Sequence, residues 1–389
     1  MKKKVLILGI DGYIGFPLAF HLLDKGYEVS GIDNFSRRDR VKALGLESLT
    51  PIAGVSKRMN ILGRHKNFKG FRYESLHGNY FYINSLLNSI KPDVIVHLAE
   101  QPSAPWSMQS AHYASETQYE NVIGTLNILW AMKETCPDAH LLKLGTMGEY
   151  GTPNCNIPEG KIPEYCIGDI NKSALCPMEG LPFPKTPGSF YHLSKVHDTN
   201  NIIFACRNWG LSSTDIMQGV VFGLNKTTSE PKLTRFDYDE HFGTCINRFC
   251  VQSLISHPLT IYGKGNQTRG YLPLKDSIQC LTLAIDNPPK KGEYRVFNQY
   301  ENIYSINELA NLTVRCARDL GLHVDIEHIH NPRKESETHY YNPTHSKLSK
   351  LGYKPDKDIQ YNITELLKAL IPYKDRVDKK DIMPKTTWE

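Results

Sequence analysis

The sequence predicts an α/β protein: a parallel sheet wound on both faces by helices, followed by a smaller mixed α/β substrate-binding domain. Three observations carry this. Val5-Leu6-Ile7-Leu8 is a short apolar run that leads straight into Gly9-x-x-Gly12-x-x-Gly15 and an amphipathic stretch to about residue 25. Apolar runs then alternate with helical stretches as far as residue 217, the spacing of parallel strands joined by crossover helices. Finally, Tyr191 and Lys195 lie four apart, so a helix presents both on one face.

Each element follows from its residues. Val5 to Leu8 reads as a strand buried on both faces, because it lacks polar alternation. Further strands are expected over 28–32, 71–76, 93–97, 140–144 and 213–217, with a long helix over 116–135. The stretch 34–69 is polar and reads as irregular. Residues 152–187 are rich in Pro, Gly and Cys without periodicity, a loop long enough to act as a lid. Beyond residue 224 the pattern is mixed, with helices over 244–255, 276–286, 306–320 and 363–370 and strands over 259–262 and 294–297. The expected division is a nucleotide-binding domain over 1–224, to which the chain returns around 275–297, and a second domain over 225–274 and 298–389.

Composition narrows the function. The chain has 389 residues, 40% hydrophobic and 22% charged, with a formal net charge of +5. That excess is small and scattered, so nucleic acid is not an expected partner, while an anionic substrate is compatible. No apolar run approaches the ~20 residues of a membrane span, so no membrane partner is expected. Nine cysteines without a Cys-x-x-Cys pair point to thiols in a reducing cytoplasm rather than a disulfide framework. Cys155, Cys166 and Cys176 share one loop, but no metal site is expected.

The glycines follow a strand and open a helix, the arrangement of a dinucleotide-binding Rossmann fold. Gly9, Gly12 and Gly15, with Tyr13 and Ile14, are expected around a pyrophosphate at a helix N-terminus. Asp33, ending the second strand beside Asn34, suits the adenosine ribose and favours NAD over NADP. Arg37 and Arg38 leave that choice open, since arginines there also suit a 2′-phosphate. Asn79 and Tyr80, after the third strand, are expected at the adenine. Leu98, Ala99 and Gln101 follow the fourth strand along the cofactor. Asn121 lies on the long helix, as a polar helix residue or near the site, and Gln218 and Val221 follow the sixth strand.

Thr146 ends the fifth strand, where its hydroxyl can meet a sugar oxygen beside Tyr191. Lys195 is expected to favour the Tyr191 phenolate and make it a general base. This ordered set is the signature of the short-chain dehydrogenase/reductase fold in its extended form. Dehydratases of that group carry Asp-Glu directly after the Thr; here Met147 and Gly148 stand there, which leaves Glu149 and His192 as candidate proton shuttles. In the second domain, Arg248, Tyr262-Gly263-Lys264-Gly265 and Gln267-Thr268-Arg269-Gly270-Tyr271 form a basic, glycine-bearing set, in which arginine suits a diphosphate.

The runs Glu100-Gln101-Pro102-Ser103-Ala104-Pro105, Thr146-Met147-Gly148-Glu149-Tyr150-Gly151 and Gln267-Thr268-Arg269-Gly270-Tyr271-Leu272 together resemble the UDP-sulfoquinovose synthase family, and Asn331-Pro332-Arg333 and His339-Tyr340-Tyr341-Asn342 extend the resemblance to the end of the chain. The resemblance implies UDP-glucose and sulfite as substrates and UDP-sulfoquinovose as product. It also implies a 4-keto-5,6-ene intermediate with NAD recycled in each turnover. Gln101, Thr146, Met147, Gly148, Tyr191, Gln218, Arg248, Thr260, Tyr262, Gln267, Arg269, Arg333 and His339 are then expected on the sugar nucleotide. Pro102 stands where plant-type members carry Arg. The chain begins at its first strand, and a prokaryotic cytoplasmic enzyme is expected, dimeric through the long helix and the Tyr191 helix. The same Tyr–Lys–Thr set also serves a UDP-hexose 4-epimerase. A non-catalytic dinucleotide sensor is the remote alternative, which tends to lose the Tyr or Lys.

Overall fold

The computed structural model describes residues 2–160, 162, 182–225, 232–333 and 340–387. Twelve strands are present among them: β1 (Lys4–Leu8), β2 (Glu28–Asp33), β3 (Phe68–Tyr73), β4 (Val94–His97), β5 (His140–Thr146), β6 (Ser212–Gln218), β7 (Val220–Phe222), β8 (Leu259–Tyr262), β9 (Thr268–Pro273), β10 (Tyr294–Gln299), β11 (Asn302–Ser305) and β12 (Ile326–Ile329). Seven form the main sheet, in the order β10-β6-β5-β4-β1-β2-β3. Every pairing in that sheet is parallel.

The order reverses at β1, which lies between β2 and β4, and the crevice outside the strands' carboxyl ends opens there. β1 is apolar because its interior residues are covered on both faces. Val5 and Ile7 pack with Leu18 and Leu22 of the helix Gly15–Asp24, while Leu6 and Leu8 pack with Ile128 and Leu129 of the helix Gly124–Thr135. Burial of this kind stabilises by about 25 cal/mol per Å² of apolar surface.

A three-stranded sheet in the order β11-β9-β7 and the pair β12-β8 lie beyond. They pack with the helices Cys245–Leu254, Ile306–Asp319 and Ile359–Leu370 around Phe249, Ile261, Leu309 and Ile363. The helix Leu274–Asp286 follows β9 and returns the chain to the main core through Ile278 and Leu281.

Several elements differ from expectation. The stretch 34–69 holds two helices, Ser36–Ala43 and Val55–Gly63. The first has almost no apolar face and is anchored by charge: Arg37 on Asp237, Arg38 on Asp11 and Arg40 on Glu120. β3 begins three residues earlier than the sequence suggests. The long helix starts at Ala111 and is interrupted by a π-helical turn, Tyr119–Ile123. Such turns commonly sit beside functional sites. No helix among the described residues is long and apolar enough to cross a membrane.

Candidate active site

A cleft of ≈ 700 Å³ opens at the carboxyl ends of β1 and β4. Its first wall is the glycine turn. Gly9 has φ +84°, and a Cβ there would lie 3.0 Å from the Leu98–Ala99 backbone. A Cβ on Gly15 would lie 2.1 Å from the Gly9 carbonyl oxygen. The turn therefore admits only glycine at these places and leaves a backbone cradle at a helix N-terminus, where Tyr13 and Ile14 also face the cleft.

Asp33 closes β2. Its carboxylate accepts from the Asp11 and Phe35 amides at 2.8 Å each. Burial raises its pKa to about 6, against the pull of those amides. Asn34 and Arg37 line the cleft beside it. Both arginines that left the cofactor open are committed: Arg38 grips Asp11 through two nitrogens at 2.6 and 3.0 Å, and Arg37 reaches Asp237 at 2.6 Å. An acidic ribose wall with its arginines engaged fits NAD rather than a 2′-phosphate.

At the other end, Thr146 leaves β5 and caps the turn Met147–Tyr150, its hydroxyl accepting from the Gly148 amide at 3.1 Å. Tyr191 lies in the first turn of the helix Phe190–Trp209, which is capped by Ser189. Lys195, one turn on, donates to the Leu144 carbonyl at 2.8 Å and forms an ion pair with Glu100. Thr146, Tyr191, His192 and Lys195 all face the cleft, as do Met147 and Gly148. His192 Nδ1 lies 2.9 Å from Ser189 Oγ. Burial, reinforced by Arg269 and Arg333, lowers its pKa to about 3, so the ring is neutral. Burial, opposed by Asp198 and Asp215 alone, would bring Lys195 to about 8.

One electrostatic expectation is corrected. Tyr191 does not rest as a phenolate: burial raises its pKa, Glu149 adds to this, and Lys143 and the Thr146 hydroxyl oppose without prevailing.

The structure brings together Gly9, Gly12, Tyr13, Ile14, Gly15, Asp33, Asn34, Arg37, Leu98, Ala99, Gln218, Val221, Arg269 and Arg333 around this one cleft. Other expected residues serve elsewhere. Asn79 caps the helix Tyr80–Ile90, and the Tyr80 hydroxyl donates to Glu134 at 2.5 Å. Leu76, His77 and Glu74 face the cleft instead, the consequence of the shift in β3. Gln101 is buried, donating to Thr117 Oγ1 at 2.9 Å, while Asn121 bonds the Gln101 backbone amide at 2.7 Å and Ser194 Oγ at 2.9 Å. These two fix the loop after β4 rather than touch the cleft.

Glu149 is turned away from the cleft. It completes the Thr146 capping box and pairs with Lys185, with the Thr199 hydroxyl 3.1 Å away. Arg248 donates to the Tyr262 hydroxyl at 2.6 Å and to the Thr260 carbonyl at 2.9 Å, and Gln267 donates to the Tyr262 carbonyl at 3.1 Å. They form a buried brace between the helix Cys245–Leu254, β8 and the turn that leads into β9. His339 lies outside the described residues, as do Cys166 and Cys176. No group of three metal-ligating side chains occurs among the described residues.

Reasoning from sequence missed Glu100 and the segment 232–244, which brings Arg235, Asp237, His241 and Phe242 to the cleft. Glu100 stood inside a quoted run; the segment carries no periodicity, and only its density of charged and aromatic residues marks it.

A model of the NAD dependent epimerase/dehydratase family matches residues 5–298, and the chain belongs to that family. It is 47% identical to the chloroplastic UDP-sulfoquinovose synthase of Spinacia oleracea, over 100% of this chain and 80% of the relative. It is 42% identical to the UDP-sulfoquinovose synthase of Sulfolobus acidocaldarius, over 99% of this chain and 97% of the relative. Within the wider family, this chain is a member of the UDP-sulfoquinovose synthases. The cofactor is NAD. In fold it matches the UDP-glucose 4-epimerase of Thermotoga maritima solved with UDP-glucose (TM-score 0.69, 20% identity, 94% of this chain and 97% of that one). It also matches the UDP-glucuronic acid 4-epimerase of Bacillus cereus solved with NAD (TM-score 0.66, 20% identity, 94% and 96%).

Proposed function

We propose that this protein joins sulfite to UDP-glucose, forming UDP-sulfoquinovose. The observation that carries the reading is the meeting of Thr146, Tyr191, His192 and Lys195 with Arg269 and Arg333 in one cleft whose far end is the glycine cradle. NAD, when bound, supplies reversible hydride exchange at the sugar's C4. Gly9, Gly12 and Gly15 would hold its pyrophosphate and Asp33 its adenosine ribose.

The chain's own residues account for the rest. Tyr191, neutral at rest, takes the proton of the sugar 4-hydroxyl once that hydroxyl is seated between it and Thr146. Lys195 stabilises the charge that develops on the phenol. Neutral His192 has a free ring nitrogen on the Gly148 side, suited to move a proton between C5 and the departing 6-oxygen. Met147 and Gly148 put no acid in the place a dehydratase uses, leaving room for sulfite to approach C6. Arg269 and Arg333 provide positive charge for the UDP diphosphate. Glu149 positions Thr146 through the capping box.

Residues 1–224 and 275–297 are proposed as the cofactor-binding part, and 225–274 with 298–389 as the sugar-nucleotide part. A homodimer is proposed through the groove formed by Ala114, Gln118, Val122 and Phe190 on the two long helices, where Tyr119 is exposed. Cytoplasmic residence is supported by seven described cysteines, all unpaired.

The test is incubation with UDP-glucose, with and without sulfite, with products read by mass spectrometry. A sulfite-dependent nucleotide sugar carrying a sulfonate in place of the 6-hydroxyl is expected. UDP-galactose formed without sulfite would make the protein an epimerase instead.

A further inference from the structure

The loop after β4 places a carboxylate against the catalytic lysine. Glu100 lines the cleft, and its side chain is 3% exposed. It forms an ion pair with Lys195, whose side chain is 5% exposed, and Oε1 lies 3.5 Å from the buried His97 Nε2. The loop is held in place from behind: the Glu100 amide donates to the Leu98 carbonyl at 3.1 Å, and the next amide, of Gln101, donates to Asn121. A carboxylate so enclosed lacks water to neutralise its charge, and the adjacent ammonium is its counter-charge.

We infer that Glu100 is a positioning residue for the Tyr191–Lys195 pair, holding the Lys195 ammonium charged and fixed between the Leu144 carbonyl and the cleft floor. The inference rests on the reading of Tyr191 and Lys195 as the proton-handling pair. Two consequences follow from the electrostatics. Lys195 stays protonated at a pH where a buried lysine otherwise loses its proton. The net charge of the Glu100–Lys195 pair is also close to zero, so Lys195 does not draw the proton from Tyr191 prematurely, in keeping with a phenol that rests neutral.

The charged and titratable groups around Lys195 come from every element packed on it. His97 and Glu100 flank it from the end of β4. Lys143 on β5 donates to the Lys195 carbonyl at 3.1 Å. Asp215 approaches from β6, Asp198 from its own helix and Tyr191 from the turn before, its ring centroid 5.9 Å from Lys195 Nζ. Glu149 touches Lys143 rather than Lys195. Among these, Glu100 is the acid in direct contact with the ammonium.

Competitive acetylation of the full-length protein over a pH series, read on the Lys195 peptide by mass spectrometry, measures this titration without any turnover. The wild-type midpoint is expected well above 8, toward the ordinary lysine value of ~10.4. In Glu100→Gln it should fall by about one unit or more, and Glu100→Asp should restore most of the difference. The UDP-glucose-dependent absorbance change of bound NAD, recorded without sulfite, should lose its alkaline limb by the same interval in Glu100→Gln.

An unchanged midpoint in a folded Glu100→Gln protein overturns the inference. A wild-type midpoint at about 8 or below, the position to which burial brings this lysine, overturns it as well, even if the glutamine variant does not fold. Failure of the functional reading looks different: the wild type would reduce its NAD with UDP-glucose yet form no sulfonate, while the acetylation midpoints still decide the role of Glu100.

Discussion

At the scale of the residue, Tyr191 is the group whose loss is cleanest to read. Tyr191→Phe removes one oxygen from a buried ring, so turnover should fall by roughly a hundredfold or more with NAD still bound, checked by product mass spectrometry and by the cofactor retained on desalting. His140 tests a different property. It is buried at the start of β5, with Nε2 2.9 Å from Thr214 Oγ1, and burial lowers its pKa to about 3. The unfolded chain takes up a proton near 6.5 while the folded one does not, so this histidine's contribution is intact above that pH and lost progressively below it. His140→Gln should therefore lose roughly 2 kcal/mol less stability than wild type between pH 7 and pH 5, measured by denaturant unfolding. Single residues were legible where spacing alone sets direction, as with Tyr191 and Lys195 on one helix face. Glu149 was not, because a capping box turned it inward, and neither was Gln101, whose side chain is folded back under its own loop.

At the scale of the element, the turn after β5 meets the helix of Tyr191 with no spare room. A Cβ on Gly148 would lie 2.3 Å from His192 Nε2. Gly148→Ala should displace that ring and lower kcat by about tenfold or more while leaving NAD affinity unchanged, measured by steady-state kinetics and cofactor titration. The groove between the two long helices makes a separate prediction. Val122→Glu places a charge in the middle of its apolar lining, and the protein should run as a monomer in sedimentation where the wild type is expected to run as a dimer. The parallel strands of the core could be read from the chain because burial on both faces leaves them wholly apolar. The helix Ser36–Ala43 could not, since its partners Asp11, Glu120 and Asp237 are far away in sequence. The three-residue displacement of β3 shows the effect of a small error: it moved the expected adenine contacts from Leu76 and His77 onto a helix cap.

At the scale of the whole molecule, the segment 232–244, which leads into the helix Cys245–Leu254, reaches the cleft and is tied there. The Thr50 hydroxyl donates to the Thr234 carbonyl at 2.6 Å, the Leu49 amide to Phe236 at 2.9 Å and the Ser103 hydroxyl to His241 at 2.5 Å. Arg37 completes the tie, paired with Asp237 and lying 3.4 Å over the Phe242 ring. Arg37→Ala should speed NAD release by about ten- to a hundredfold, the equivalent of one lost charged hydrogen bond, read by chasing bound cofactor with labelled NAD. With NAD seated in the cleft, a segment tied in this way would keep the cofactor apart from the cell's traffic in reducing equivalents. On the proposed reaction, electrons taken from a sugar return to the same sugar, so the output would follow the supply of sulfur and of activated glucose. A swing in the NAD-to-NADH ratio during starvation or oxygen limitation should leave that output unmoved.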